Sequence, residues 1–134
     1  MRVLHRCRTA ITNQHKTAGR PNVAGILLNA SLAGGCSYLA IAFWRAWRCA
    51  AGEIDLIVKR RRQLVFVEVK YWFHADQIVM PSSTQCRRIR SAAALFLAKY
   101  PEMSDAQCRF DLLIINHGGI FGDGRIVHLK NAWQ

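Results

Sequence analysis

Acidic side chains are scarce in this 134-residue sequence, with eight Asp and Glu set against nineteen Lys and Arg for a formal charge of +11. The resulting pI near 10.2 favours a polyanionic partner, either nucleic acid or an anionic membrane surface. Cysteine pairing is equally lacking. Cys7, Cys36, Cys49, Cys86 and Cys108 are odd in number and scattered, with no CxxC and no Cys/His pair at zinc spacing. That excludes a disulfide framework or a zinc ribbon and points to free or packing thiols in a reducing compartment, the cytoplasm. No GxSxG elbow, GxxxxGK[ST] loop or GxGxxG fingerprint is present. The glycine-rich run over 117–124 lacks the lysine and hydroxyl of a phosphate loop and reads as a long hairpin turn. Internal repeats and low-complexity tracts are absent too.

Long uninterrupted hydrophobic runs are missing, though one stretch imitates them. Residues 21–44 carry no charge and follow a lead containing Arg2, Arg6, Arg8, Lys16 and Arg20, the outline of a signal anchor. Asn29, Ser31, Gly34, Gly35 and Ser37 break it up, whereas a membrane span needs about 20 predominantly apolar residues. We read it instead as a core helix over 23–33 and a strand over 38–44, which disfavours the membrane. A hydrophobic fraction of 51% excludes wholesale disorder, and the length suits one core. The expected organisation is a flexible basic arm over 1–20 and a single domain over 21–134.

What the chain does have is a pair of apolar runs interrupted by acids. Residues 52–58 and 64–70 are dense in Val, Ile, Leu and Phe and flank the basic connection Arg60-Arg61-Arg62-Gln63, which predicts a hairpin. With residue 59 facing residue 64, Asp55 falls opposite Glu68 and Glu53 opposite Lys70. Opposed carboxylates repel, and partial burial raises the cost unless a cation or a proton resolves it. The two-residue period of a strand places Glu68 and Lys70 on one face. Two hard carboxylates suit Mg²⁺ or Mn²⁺, and a neighbouring lysine can orient water and stabilise developing negative charge. The constellation reads as metal-assisted phosphodiester hydrolysis; an ordinary salt-bridged hairpin explains the spacing about as well. Three of the eight acids, Glu53, Asp55 and Glu68, fall in this hairpin of an otherwise basic chain.

An acid on one strand followed by acid, one residue and lysine on the next resembles the PD-(D/E)xK nuclease pattern. The strings Gly52-Glu53-Ile54-Asp55-Leu56-Ile57 and Val65-Phe66-Val67-Glu68-Val69-Lys70 are similar to the YraN-like family of predicted bacterial endonucleases, relatives of Holliday-junction resolvases and restriction enzymes. Arg109-Phe110-Asp111 and the closing His128-Leu129-Lys130-Asn131-Ala132 also match that family. The resemblance implies a restriction-endonuclease-like α/β fold, a three-layer sandwich with a central mixed sheet flanked by helices. It implies a metal-dependent endonuclease in which Asp55, Glu68 and the Val69 carbonyl hold Mg²⁺ or Mn²⁺ and Lys70 orients the attacking water, with DNA favoured over RNA and room for a homodimer. The chain departs from the family at two supporting positions. Asn29 stands where a glutamate is usual, and Gln85-Cys86 replaces a lysine-glutamine pair. Both lower the charge at the site, so a nucleic-acid-binding protein with weak or no catalysis is the alternative.

The remaining elements are coarser. Residues 71–81 read as a loop. Ser82, Ser83 or Thr84 can cap a helix whose apolar positions Ile89, Ala92, Ala93, Phe96 and Leu97 recur at spacings of three and four before Tyr100-Pro101 ends it. Strands are expected over 109–115 and 125–129. Arg60, Arg61 and Arg62 of the hairpin, with Arg87, Arg88 and Arg90 of the helix, are candidate phosphate contacts.

Overall fold

The computed structural model describes residues 42–72, 78–116 and 125–134. Five strands run β1 Ala42–Cys49, β2 Gly52–Arg60, β3 Gln63–Trp72, β4 Gln107–Asn116 and β5 Arg125–Trp133, and they lie in the sheet in that same order. Pairing is antiparallel except between β3 and β4, which are parallel. A parallel neighbour demands a crossover, and the helix α1, Ser83–Lys99, supplies it. This is an α/β architecture with a mixed five-stranded sheet, and α1 is the one α-helix among the described residues, followed by a short 3-10 turn at Pro101–Met103. The helix expected over 23–33, the arm over 1–20 and the glycine-rich run over 117–124 fall outside those residues.

Several boundaries differ from expectation. The first strand ends at Cys49 rather than residue 44, and residues 38–41 are not described. It continues through Arg48, whose side chain is 72% exposed, because the outermost strand of this sheet can turn a cation to solvent. The hairpin is tighter than the sequence implies. Arg60 pairs with Gln63, leaving only Arg61 and Arg62 as the turn, and Arg61 takes φ 53°. A two-residue connection requires such a left-handed position to match strand twist, a place where glycine is the easy choice. β3 also extends through Trp72 into the expected loop.

Hydrophobic packing occupies both faces of the sheet. Towards α1, Ile57, Leu64 and Phe66 meet the helix residues Ile89, Ala92, Ala93 and Phe96. Their spacing of three and four is the apolar stripe expected from sequence, with Cys86 added and Leu97 only partly buried. Aromatic rings extend this layer across the sheet. Trp47 meets Phe96 edge-on at 5.3 Å, Phe96 meets Phe66 at 6.0 Å, and Phe66, Phe110 and Trp133 stack at 5.4 and 5.8 Å. Each such pair adds about 0.5–1.5 kcal/mol beyond its buried area. On the other face Leu56, Val58, Val65, Val67, Leu113 and Ile115 form a second buried cluster. Cys49, Cys86 and Cys108 are free thiols, and desolvation pushes Cys108 above the ordinary thiol pKa.

The β4–β5 ladder contains a fully buried charge. Phe110 pairs with Trp133 and Leu112 with Leu129, so Asp111 alone confronts three residues of β5, Lys130 to Ala132. Asn131 relieves the mismatch by adopting φ 52°, a conformation asparagine tolerates better than most residues. Asp111 Oδ1 then accepts the Asn131 amide at 2.9 Å. Arg109 donates through Nε at 2.8 Å and Nη2 at 2.9 Å, and His128 Nε2 lies 2.8 Å from Oδ2. An ionised carboxylate only accepts, which assigns the shared hydrogen to His128 Nε2. Four contacts satisfy a carboxylate that burial would otherwise make prohibitively costly.

Two stability measurements follow. Asp111→Ala should lower the unfolding free energy in urea by about 3 kcal/mol, the lower end of the cost of breaking a buried pair, since Arg109 keeps 23% exposure and can turn to water. Arg61→Gly should raise it by up to about 1 kcal/mol by removing left-handed strain, offset in part by glycine's backbone entropy. A loss on Arg61→Gly would contradict the turn geometry.

Candidate active site

β2 and β3 share rungs from Arg60/Gln63 to Leu56/Val67, in the register that residue 59 facing residue 64 predicts. The ladder then stops. Neither Asp55/Glu68 nor Glu53/Lys70 is a backbone pair, and the expectation that both rungs continue the hairpin is corrected here. Asp55 instead reaches across with its side chain, and its Oδ2 accepts the Val69 amide at 2.9 Å. Where the strands part, a carboxylate substitutes for the missing carbonyl acceptor. The acid is thereby tied to the residue between Glu68 and Lys70.

Glu53 goes elsewhere. Its register partner is Arg48 of β1, and Arg48 Nε lies 3.2 Å from Glu53 Oε1. This partly exposed ion pair lies on the outer hairpin, and Asp55 and Glu68 are the hairpin acids bonded to the Glu68-Val69-Lys70 segment and its helix neighbour. Gly52 starts the same strand at φ 148°, a backbone that side chains resist, and a Cβ there would touch Arg88 at 3.5 Å.

Glu68 and Lys70 continue the strand face that carries Leu64 and Phe66 towards α1. At this end the apolar layer gives way to polar groups. Glu68 is only 7% exposed, and its Oε1 receives Lys70 Nζ at 2.9 Å and Gln85 Nε2 at 2.7 Å. Gln85 stands in the first turn of α1, where Ser82 caps the helix by accepting the Gln85 amide at 3.2 Å. The cap orients the helix start, and the helix start delivers Gln85 to Glu68. No acid sits in that first turn, and Arg87, Arg88 and Arg90 are exposed just beyond it. Positive side chains thus add to the positive end of the helix dipole, which raises the potential for an anion beside the acids.

The like-charge conflict read from the sequence is resolved in this structure by donors: the Val69 amide for Asp55, and Lys70 with Gln85 for Glu68. Among the described residues no group of three or more His, Cys, Asp and Glu could hold a metal ion. Two carboxylates and the Val69 carbonyl are hard oxygen donors of the kind Mg²⁺ or Mn²⁺ takes while keeping several waters. Such a set fits the ion in type and is low in charge. Asn29, the remaining supporting residue, lies outside the described residues.

The arginines form two separate groups. Arg87 and Arg88 follow Gln85 by two and three residues in the first turns of α1, both exposed. Arg61 and Arg62 sit at the opposite end of the hairpin, roughly 17 Å away for five residues of strand. Arg60 contributes to the sheet face away from α1, beside Val58 and Val65. Arg90 Nη1 donates to the Gln134 carbonyl at 2.6 Å and so pins the last described residue. The Arg109–Asp111–His128 network went unassigned from sequence. Its signal is an aspartate between Phe110 and the apolar run Leu112 to Ile115, a position that only a compensated charge can occupy.

No helix among the described residues is long and apolar enough to cross a membrane; most of the uncharged stretch 21–44 lies outside them. Residues 38–115 match the model of a family described as uncharacterised protein family UPF0102. The chain is 38% identical over 95 residues to a UPF0102 protein of Gloeobacter violaceus, covering 67% of this chain and 75% of the relative. A Pseudomonas entomophila UPF0102 protein is 37% identical over 93 residues with the same coverage, and one from Frankia casuarinae is 37% identical over 95, covering 66% and 76%. The matched segment contains Asp55, Glu68, Lys70, Gln85 and Asp111, and the YraN-like resemblance agrees with it. The kinship carries no established activity with it, but it is unambiguous: this chain belongs to the UPF0102 family.

Proposed function

We propose that the protein is a metal-dependent endonuclease with a restriction-endonuclease-like core, acting on a nucleic acid backbone. The observation that carries this reading is the Asp55 carboxylate bonded to the Val69 amide, which brings the first acid against the Glu68-Val69-Lys70 segment. A Mg²⁺ or Mn²⁺ ion held by Asp55, Glu68 and the Val69 carbonyl would polarise the phosphoryl oxygen and make water a better nucleophile at neutral pH. Lys70 Nζ, anchored 2.9 Å from Glu68, orients that water and stabilises charge developing at phosphorus. Gln85 keeps Glu68 in place through its amide. Arg87 and Arg88 hold flanking phosphates near the positive end of α1.

One observation favours a second reading. Glu68 Oε1 already accepts both Lys70 and Gln85, and the set contains two acids, so the fold can serve as a nucleic-acid-binding module with little hydrolysis. Metal dependence separates the two. In the first reading Mn²⁺ raises the unfolding temperature by linkage and permits cleavage of branched, single-stranded or duplex DNA; in the second it does neither.

Asp55→Asn and Glu68→Gln should each abolish Mn²⁺-dependent cleavage in an assay on those substrates while keeping the fold, because an amide oxygen still accepts the Val69 and Gln85 hydrogens. Lys70→Met should lower the rate by about 10²-fold or more. Undiminished cleavage by the two acid variants would remove these residues from the mechanism. Binding should weaken steeply with salt. Arg87→Ala combined with Arg88→Ala should flatten the plot of log affinity against log salt by at most about two units on duplex DNA, and equally for unrelated sequences.

A further inference from the structure

Two donors of different kind converge on one oxygen at the site. Glu68 Oε1 receives Lys70 Nζ at 2.9 Å and Gln85 Nε2 at 2.7 Å. An ammonium has only hydrogens to offer, whereas a carboxamide carries a donor and an acceptor on the same carbon. Of the two, Gln85 alone can reverse the polarity it presents, and it needs no proton transfer to do so. Its backbone is fixed in the first turn of α1, where the Ser82 hydroxyl accepts its amide at 3.2 Å. Among the described residues no other hydrogen bond engages its side chain, and Gln85 is partly exposed. Rotation about the last bond of a glutamine is broad and roughly two-fold, so a half-turn exchanges Nε2 and Oε1 within nearly the same volume.

Charge decides which way the amide faces. Without a metal, the Glu68 carboxylate selects the Nε2 hydrogens. A divalent cation at the same carboxylate meets those hydrogens as like charge, in addition to the Lys70 ammonium and the positive end of α1. Turning Oε1 inward converts one of these repulsions into attraction. It also adds a hard, neutral ligand to two carboxylates and the Val69 carbonyl, a set that leaves much of the Mg²⁺ octahedron to water.

We propose that Gln85 is a reversible metal ligand: it donates Nε2 to Glu68 in the metal-free protein and turns Oε1 to Mg²⁺ or Mn²⁺ when the ion is held. The inference rests on the metal-dependent reading of the site. Under it the helix start takes part in binding the ion, and the Ser82 cap fixes the pivot on which the amide turns.

The test follows the Gln85 carboxamide by NMR in the full chain, first in EDTA and then with Mg²⁺ titrated to saturation. In EDTA its Nε2 protons should be protected from exchange with water by their bond to Glu68, and Mg²⁺ should release that protection as they turn away from the carboxylate. Protection that persists while the Asp55 and Val69 amides report bound Mg²⁺ would overturn the proposal. Mn²⁺ affinity gives a second readout, taken from the rise in unfolding temperature with ion concentration. Gln85→Met should weaken Mn²⁺ binding by about 10-fold or more, as loss of a supporting group at a metal does. A side chain that serves only as a donor predicts the opposite sign, because its removal frees Glu68 from a competitor of the ion; unchanged or tighter binding by Gln85→Met would therefore also overturn the proposal. Gln85→Glu, which keeps an oxygen at that position, should bind Mn²⁺ more tightly than Gln85→Met and unfold at a lower temperature in EDTA, where two carboxylates face each other. Absence of any Mg²⁺ or Mn²⁺ response at Asp55 and Val69 in the unaltered protein would remove the metal-dependent reading together with this inference, whereas a response there without the Gln85 effects removes this inference alone.

Discussion

The site depends on where β2 and β3 stop pairing. Had the ladder continued past Leu56/Val67, Asp55 and Glu68 would sit on facing rungs with backbone groups satisfied by each other, two acids in direct opposition. Because it stops, the Val69 amide needs an acceptor, and the Asp55 carboxylate provides one at 2.9 Å. One side-chain hydrogen bond therefore closes the gap between strands, fixes an acid beside Lys70, and converts electrostatic conflict into a held cluster. The helix end completes the arrangement through the chain of contacts from Ser82 to Gln85 to Glu68.

Two buried acids in the same sheet illustrate how environment separates structural from chemical use. Asp111 is inaccessible and saturated by a bidentate arginine, a histidine and a backbone amide, the full complement expected of a charge kept for architecture. Glu68 lies at the margin of the aromatic layer, held through a lysine that is 31% exposed and an amide from a helix start. Glu68 keeps 7% exposure where Asp111 has none. The sheet thus has a fully buried charge on one face and a marginally exposed one on the other, with cationic side chains near both.

Much of this was legible in residues. The hairpin register followed from Lys59 facing Leu64, and the helix followed from a serine cap and the Ile89, Ala92, Ala93, Phe96 stripe, because both are local patterns with fixed periods. The fate of Glu53 was not legible. Its choice between Lys70 and Arg48 depends on which neighbouring strand stays in register beyond Leu56, and sequence read one hairpin at a time cannot weigh a third strand. The turn at Arg61 was missed for another reason: no glycine or asparagine marks it, since the strain is borne by an arginine. The Asp111 network joins residues 109 and 131 through a bulge in a ladder formed by distant segments, so its parts were visible as matching strings and their contact was not.

The proposed function requires Asp55, Glu68 and Lys70 to form a site for a divalent cation and a phosphodiester. Paramagnetic broadening of backbone amide resonances by substoichiometric Mn²⁺ tests it most directly, since the effect falls off steeply with distance from the ion. Broadening centred on residues 55 and 68 to 70, reaching Gln85 and lost in Glu68→Gln, is the result this structure predicts. Broadening centred elsewhere, or none at concentrations that support binding of nucleic acid, would contradict it.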